Sequence, residues 1–306
     1  MGRRLRLGLK LQGLGTLDPS RKGNVQGDEA VARAWQKYLG RRPDVEYVRL
    51  YGPEEKIEDG LDALIHFNPF LPAHPGTHNV LYLQNAFPPS EYPGGTAGVF
   101  ARVKERFDGY LFTSRRLMHA CAPGGVVPFA TDPEVFVPRE SADYRHPVSF
   151  VGNDIRGPVA NQRYLVPALP FGLVIYGNNT WPPPLRGACR GKIPAAELPK
   201  LYSSTAVNLN VHIGEHVVYD TVNLRVYDVL ACEGFLLSDE LESLRSEFGP
   251  AVAFTTGDED TWAQLVRYGS DAGERRRRGE EGRRIVLSRH TYAHRMEALM
   301  MYLRAM

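Results

Sequence analysis

Short apolar runs of strand length alternate with stretches of helical period along almost the whole chain, twice over, on either side of one irregular proline-rich interval. A chain with that rhythm folds as α/β with parallel strands, because each return to the sheet passes through a helix lying on it. Residues 5–11, 45–50, 63–67, 80–84 and 109–113 read as strands of a first half, and 148–151, 173–176, 206–210, 235–238 and 252–255 as strands of a second. Between the first two, DEAVARAWQKYL places Val31, Trp35, Tyr38 and Leu39 at i, i+4, i+7 and i+8, one apolar stripe for packing on a sheet. The period is lost around PFATDPEVFVPRESADYRHP, which marks a boundary between an N-terminal domain, residues 1–138, and a second domain, 139–289. Helical stretches at 272–287 and 292–303 close the chain.

Composition narrows the class further. With 306 residues, 43% apolar and 24% charged, the chain can bury two medium cores, and it has no uninterrupted apolar stretch long enough to cross a bilayer. Its start, MGRRLRLGLKLQGLG, has the alternation of a strand rather than the apolar block of a signal peptide. Cys121, Cys189 and Cys232 are odd in number and widely spaced, as in a reducing compartment, so a cytoplasmic location is expected. The net charge is only +2, and the arginines at 275–278 and 283–284 run with Glu280 and Glu281 in a helical pattern. They read as a solvated helix face rather than a nucleic-acid or membrane patch.

Candidate site residues sit where strands end. The first strand runs into a glycine-rich connection that delivers Gly27 and Asp28 to the start of the next helix, where glycines admit a ligand and free N–H groups face it. Asp28 there is either a capping carboxylate or an acid-base group on the acceptor side. His66 and Asn68 follow ALIHF, and Gln84 and Asn85 follow VLYLQ. His66 is either a general base or a hydrogen-bonded packing histidine. In the second half a strand ends at Asn210, a polar loop carries His212, and a helix spans about 221–232, with Val222, Val226, Val229 and Leu230 as its buried stripe. Arg225 and Asp228, three apart, either share a ligand or form an ordinary surface ion pair. Asp220 at the helix start is a site carboxylate or a cap. The acidic run at 258–260 begins a helix and reads as capping.

Asn223, Arg225, Asp228, Ala231, Cys232 and Gly234, followed by FLLSD, resemble the signature of group 1 glycosyltransferases with the GT-B fold, especially the CgeB-like (spore-maturation protein) branch. GKIPAAELPKLYSS, GNVQGDEAVARAWQKYL, VPFATDPEVFVP, SFVGNDIRG and HTYAHRMEAL extend the likeness over most of the chain. It implies two Rossmann-like α/β/α domains facing each other across a cleft, with residues 290–306 returning as a helix onto the N-terminal domain and a structural role for His290 and His294. The family's two acids map to Asp220, near the donor sugar, and Asp228, on the ribose, with aspartate standing for glutamate at both. The likeness further implies a donor site of Gly152, Asn153, Arg156, Gly177, Asn178, Gly191, Lys192, Ile193, Tyr202, His212, Asn223, Leu224 and Arg225. Gly191, Lys192 and Ile193 would lie by the base, and Arg156, Lys192 and Arg225 would be the cations on the diphosphate. Gly27, Asn68 and Asn85 would lie on the acceptor side, with Asp28, His66 and Asp220 as the catalytic candidates.

The expected activity is transfer of a sugar from a nucleoside-diphosphate sugar to an acceptor hydroxyl, without a metal or resident cofactor, and with retention favoured over inversion. The alternatives are a non-catalytic nucleotide- or sugar-binding module and a nucleotide-sugar epimerase on the same fold. The acceptor is left open among glycan, protein, lipid-linked intermediate, small molecule and modified nucleic acid, as are peripheral membrane association and oligomeric state.

Overall fold

The computed structural model describes residues 3–18, 20, 27–178 and 180–306, so the middle of the glycine-rich connection, 21–26, lies outside the described residues. The first half contains β1 (Leu5–Lys10), α1 (Gly27–Gly40), β2 (Val45–Tyr51), β3 (Ala63–His66), β4 (His78–Leu83), α2 (Gly95–Val103), β5 (Gly109–Phe112), α3 (Arg115–Cys121) and β6 (Gly125–Val126). Its strands form one parallel sheet in the order β2-β1-β3-β4-β5-β6. The second half contains β7 (Val148–Val151), α4 (Pro158–Ala160), β8 (Leu173–Tyr176), α5 (Leu198–Ser204), β9 (Val207–Asn210), α6 (Gly214–Val218), α7 (Leu224–Ala231), β10 (Leu236–Ser238), α8 (Glu242–Phe248) and β11 (Val252–Phe254). These strands form a second parallel sheet, β11-β10-β9-β7-β8. Then come α9 (Asp258–Ser270), α10 (Ala272–Arg289) and α11 (Tyr292–Ala305).

Both sheets reverse their winding after the first strand, which leaves a crevice at the carboxyl ends of β1 and β3 in one half and of β7 and β9 in the other. Those crevices are where open α/β sheets bind ligands. The expected stripe of α1 is buried along its length, and Trp35 is its anchor. The Trp35 ring centroid lies 5.2 Å from that of Phe67 and 4.7 Å from that of Tyr82, so the helix is seated over β3 and β4.

α11 crosses back to the first half. Leu299 and Met300 join the core beneath α1, the Tyr302 hydroxyl accepts from the Tyr110 N–H at 2.8 Å, and Arg304 reaches Asp44 at 3.2 Å. His294 completes a capping box with Thr291 at the start of α11. On α10 the arginine run is paired, Arg277 and Arg278 with Glu274 and Arg284 with Glu281, as a solvated helix face requires. Asp260 accepts from the Thr256 N–H at 2.7 Å, so the acidic run at the start of α9 closes the turn before the helix.

Three readings need correction. The helix expected over 221–232 begins only at Leu224, because Asn223 before it is extended, at φ −75° and ψ 158°, and serves as the N-cap. The polar loop before it contains α6, too short for a periodic signal. The two-residue edge strand β6 was likewise not anticipated. Truncating Trp35 to Ala should destabilise the chain by ~3–5 kcal/mol, the usual cost of emptying an aromatic core site; urea denaturation would show it as a lower midpoint at unchanged slope.

Candidate functional site

The crevice between β7 and β9 is built around a phenylalanine with two guanidinium groups above it. Phe150 on β7 has the Arg156 carbon Cζ 4.5 Å from its ring centroid and the Arg225 Cζ 4.9 Å from it. Arg156 is held by the Val211 and Asn153 carbonyls, at 2.7 and 2.8 Å, and Arg225 donates to Asn210 Oδ1 at 2.7 Å. Asn223 donates to the same oxygen at 2.8 Å. Among the described residues no carboxylate lies within ion-pair distance of either arginine, and Arg225 Nε is buried without a hydrogen-bond partner. Burial, and after it the charge of Arg225, pulls the Arg156 guanidinium below its ordinary value, and burial does the same to Arg225. Two like charges in a shielded crevice attract an anion.

Backbone packing shapes the floor. A Cβ on Gly177 would stand 1.9 Å from the Gly152 carbonyl oxygen, and a Cβ on Gly152 would stand 2.9 Å from an Arg225 guanidinium nitrogen. Only glycine lets the two loops and the cations approach so closely. The Gly177 N–H donates to the Gly191 carbonyl at 2.9 Å, bringing the loop of Lys192 and Ile193 alongside. Asn178 accepts from the Asp154 N–H at 3.3 Å. His212 is fixed by Asp239, whose carboxylate accepts from its backbone N–H and lies 2.7 Å from its Nδ1. Burial alone would raise the Asp239 carboxyl; His212 more than offsets that and holds it below the usual range.

The structure thus gathers Gly152, Asn153, Arg156, Gly177, Asn178, Gly191, His212, Asn223 and Arg225 at one crevice, with Leu224 opening α7 beside them. Other expected residues are turned elsewhere. Tyr202 is buried, its ring stacked 6.3 Å from Phe136. Asp228 is buried and accepts from the Thr131 hydroxyl at 2.7 Å, and it forms no ion pair with Arg225, although each feels the other's charge. Burial raises its carboxyl well above the ordinary value. Asp220 is spent on α8, accepting from the Ser243 N–H at 3.1 Å and the Ser243 hydroxyl at 2.6 Å.

On the first half His66 is fully buried, 3.0 Å from Asn79 through Nε2 and edge-on to Phe107. Burial brings it down to about 4, and its contacts are those of a hydrogen-bonded packing histidine. Asn68 closes its own turn by accepting from the Phe70 N–H at 2.8 Å. Gly27 has open space around it. Asp28 is 8% exposed and accepts from the Glu29 N–H at 2.9 Å; burial raises its carboxyl.

Several participants carry no signal in the sequence. Glu29, on α1, accepts from the N–H groups of Gly15 and Thr16 and from Arg33, and so pins the loop after β1. Lys10 ends β1 at the first-half crevice, 5% exposed. Glu215, on α6, reaches across to Thr96 at the start of α2. Each depends on contacts between residues far apart in the chain. Among the described residues no group of three or more His, Cys, Asp or Glu side chains is arranged to hold a metal ion, and no helix is long and apolar enough to cross a membrane.

Residues 159–301 match the model of the glycosyl transferase-like family. No curated protein matches the chain. In fold it is similar to sucrose-phosphate synthase from Thermosynechococcus elongatus, at 15% identity over 98% of this chain and 100% of that one, with a TM-score of 0.66. It is also similar to an alpha-glucosyltransferase solved with UDP, at 11% identity, 98% and 100% coverage and a TM-score of 0.67. The T4 phage protein BGT, solved with its UDP-glucose substrate, gives 11% identity, 98% and 99% coverage and a TM-score of 0.62. The fold is GT-B, matched over 98% of this chain.

The packing role of His66 has a measurable signature. Its folded pKa, about 4, lies below the ordinary 6.5, so between those values the unfolded chain binds a proton that the fold refuses. Stability should therefore fall as pH drops through that window, by up to about 1.4 kcal/mol per pH unit from this group. Urea midpoints measured from pH 7 to pH 4 should show a shallower decline in His66→Gln, which keeps a donor to Asn79 and loses the titration.

Proposed function

We propose that the chain is a glycosyltransferase that seats a nucleoside-diphosphate sugar at the carboxyl ends of β7 and β9 and transfers the sugar to an acceptor held by the first half. The observation that carries this reading is the pair Arg156 and Arg225, converging on Phe150 with no carboxylate between them among the described residues. A diphosphate supplies the missing negative charge, and the same cations stabilise it as it leaves. The glycines at 152, 177 and 191 bring backbone to the nucleotide, and Lys192 and Ile193 lie on the side assigned to the base. The UDP and UDP-glucose complexes of the two glucosyltransferases named above support a uridine nucleotide as the first donor to try. Within the glycosyltransferases, the motif from Asn223 to Gly234 supports the CgeB-like branch.

Transfer with retention is the outcome we favour, because one of the two groups weighed as an inverting base, His66, is committed to Asn79. Asp28 is the remaining candidate.

Two measurements test these assignments. Calorimetric titration with UDP should show saturable binding to the full chain, and Arg225→Ala should weaken it by about tenfold to a hundredfold, the worth of a lost charge-assisted contact. UDP binding unaffected in that variant would sink the donor assignment. With a turnover assay in hand, Asp28→Asn should keep activity within about tenfold of the parent, because retention asks for no base on the acceptor; a loss of ~10²–10⁴-fold, the worth of general-base catalysis, with a product of inverted anomeric configuration would overturn it.

A further inference from the structure

The loops that follow β3 and β4 carry a surface feature that the donor site leaves unused. Phe70, after β3, is 48% exposed. Its ring lies 5.5 Å from Phe87, edge to face, and 6.1 Å from Tyr92, stacked. Phe87 is buried beneath and meets Tyr92 at 5.0 Å. Arg106 donates to the Pro69 carbonyl and Arg102 to the Pro93 carbonyl, so both loops are fastened where the aromatic residues leave them. Leading into this platform from β4 are Gln84, 7% exposed, and Asn85. Gln84 Nε2 and Asn85 Oδ1 are buried without hydrogen-bond partners, an amide donor and an amide acceptor side by side in the chain.

An exposed aromatic ring forgoes burial of apolar area, and an unpaired buried amide atom costs about 1–3 kcal/mol. A saturated ring whose face is C–H and whose rim is hydroxyl answers both, stacking on the aromatics and offering hydroxyls to the amides. The platform is also connected to the donor crevice. The Phe87 N–H donates to the Thr96 hydroxyl at 3.1 Å, and Thr96 donates to Glu215 on α6. The next residue, His216, feels the charges of Arg156 and Arg225.

We propose that Phe70, Phe87 and Tyr92, with Gln84 and Asn85, form the acceptor subsite and that its ligand is a neutral pyranose, which makes the acceptor a saccharide. This rests on the glycosyltransferase reading above. A single-stranded nucleic acid also stacks on aromatic rings, but it brings a phosphate with each base. The two arginines flanking these loops already serve proline carbonyls.

The test titrates the full chain with maltose, cellobiose and the methyl pyranosides of glucose, galactose and N-acetylglucosamine, without donor, by saturation-transfer NMR and calorimetry, and titrates UDP separately. At least one saccharide should bind, and Phe70→Ala and Gln84→Met should each weaken it about tenfold with UDP affinity unchanged. Phe70 is exposed, so its truncation spares the core. Saccharide binding that ignores both substitutions overturns the proposal, as does binding of UDP with no saccharide bound, or Phe70-dependent binding of oligo-dT with no saccharide bound. Phe70-dependent saccharide binding without UDP binding would support the subsite while removing the donor reading.

Discussion

The connection between the two halves crosses at Thr131 and Asp132, and the relation of every other element to the cleft depends on what those two residues hold. The Thr131 N–H donates to the His290 carbonyl at 3.1 Å, and its own carbonyl accepts from Tyr292 at 3.0 Å. Its hydroxyl donates to Asp228 on α7. Asp132 accepts from Lys37 at 2.6 Å and from the Tyr38 hydroxyl at 2.8 Å, both on α1. One dipeptide thus ties the first helix of one half, the central helix of the other and the entry to the returning helix. This explains why Asp228 lies where it does. An aspartate reaches less far than a glutamate, and here its carboxyl stops at the linker hydroxyl.

The crevice at β7 and β9 holds two cations with no carboxylate in ion-pair contact with either among the described residues. Two guanidinium groups over one ring repel each other, and they stay because carbonyls and an amide oxygen hold them rather than a carboxylate. Held this way, neither has to break an ion pair before meeting an anion, so attraction for a diphosphate is not offset by the loss of an internal partner. The switch in strand order supplies the opening, and the glycine contacts at 152 and 177 supply the depth.

The architecture was legible in the sequence because it is written in period: the α1 stripe, and strands such as Leu173–Tyr176 that match residue for residue. That Asn223 and Arg225 meet at one crevice with Arg156 was legible through resemblance. What period and resemblance both miss is direction. Asp220 and Asp228 stand at the spacing of a catalytic pair, yet one carboxylate turns to α8 and the other to the linker, because a positive φ at Asp220 and the burial of α7 decide where each points. His66 follows a strand as a ligand would, but it is the last paired residue of β3, opposite Lys10 and Leu81, and its side chain belongs to the packed face of the sheet. Strand ends position residues to within one place, and that one place decides between the face and the crest.

The same reasoning accounts for α6, which the sequence presents as an undistinguished polar loop. Within a few residues Glu215 caps the start of α2, the Tyr219 carbonyl accepts from Ser114, and the Thr221 hydroxyl lies 3.2 Å from that of Thr113. All three partners belong to the first half, at the carboxyl edge of β4 and β5. His216, between them in sequence, is lowered by burial to about 3 and is sensitive to His212, Arg156 and Arg225. The segment is therefore a clasp with one side on the donor cations and the other on the crest of the opposite domain.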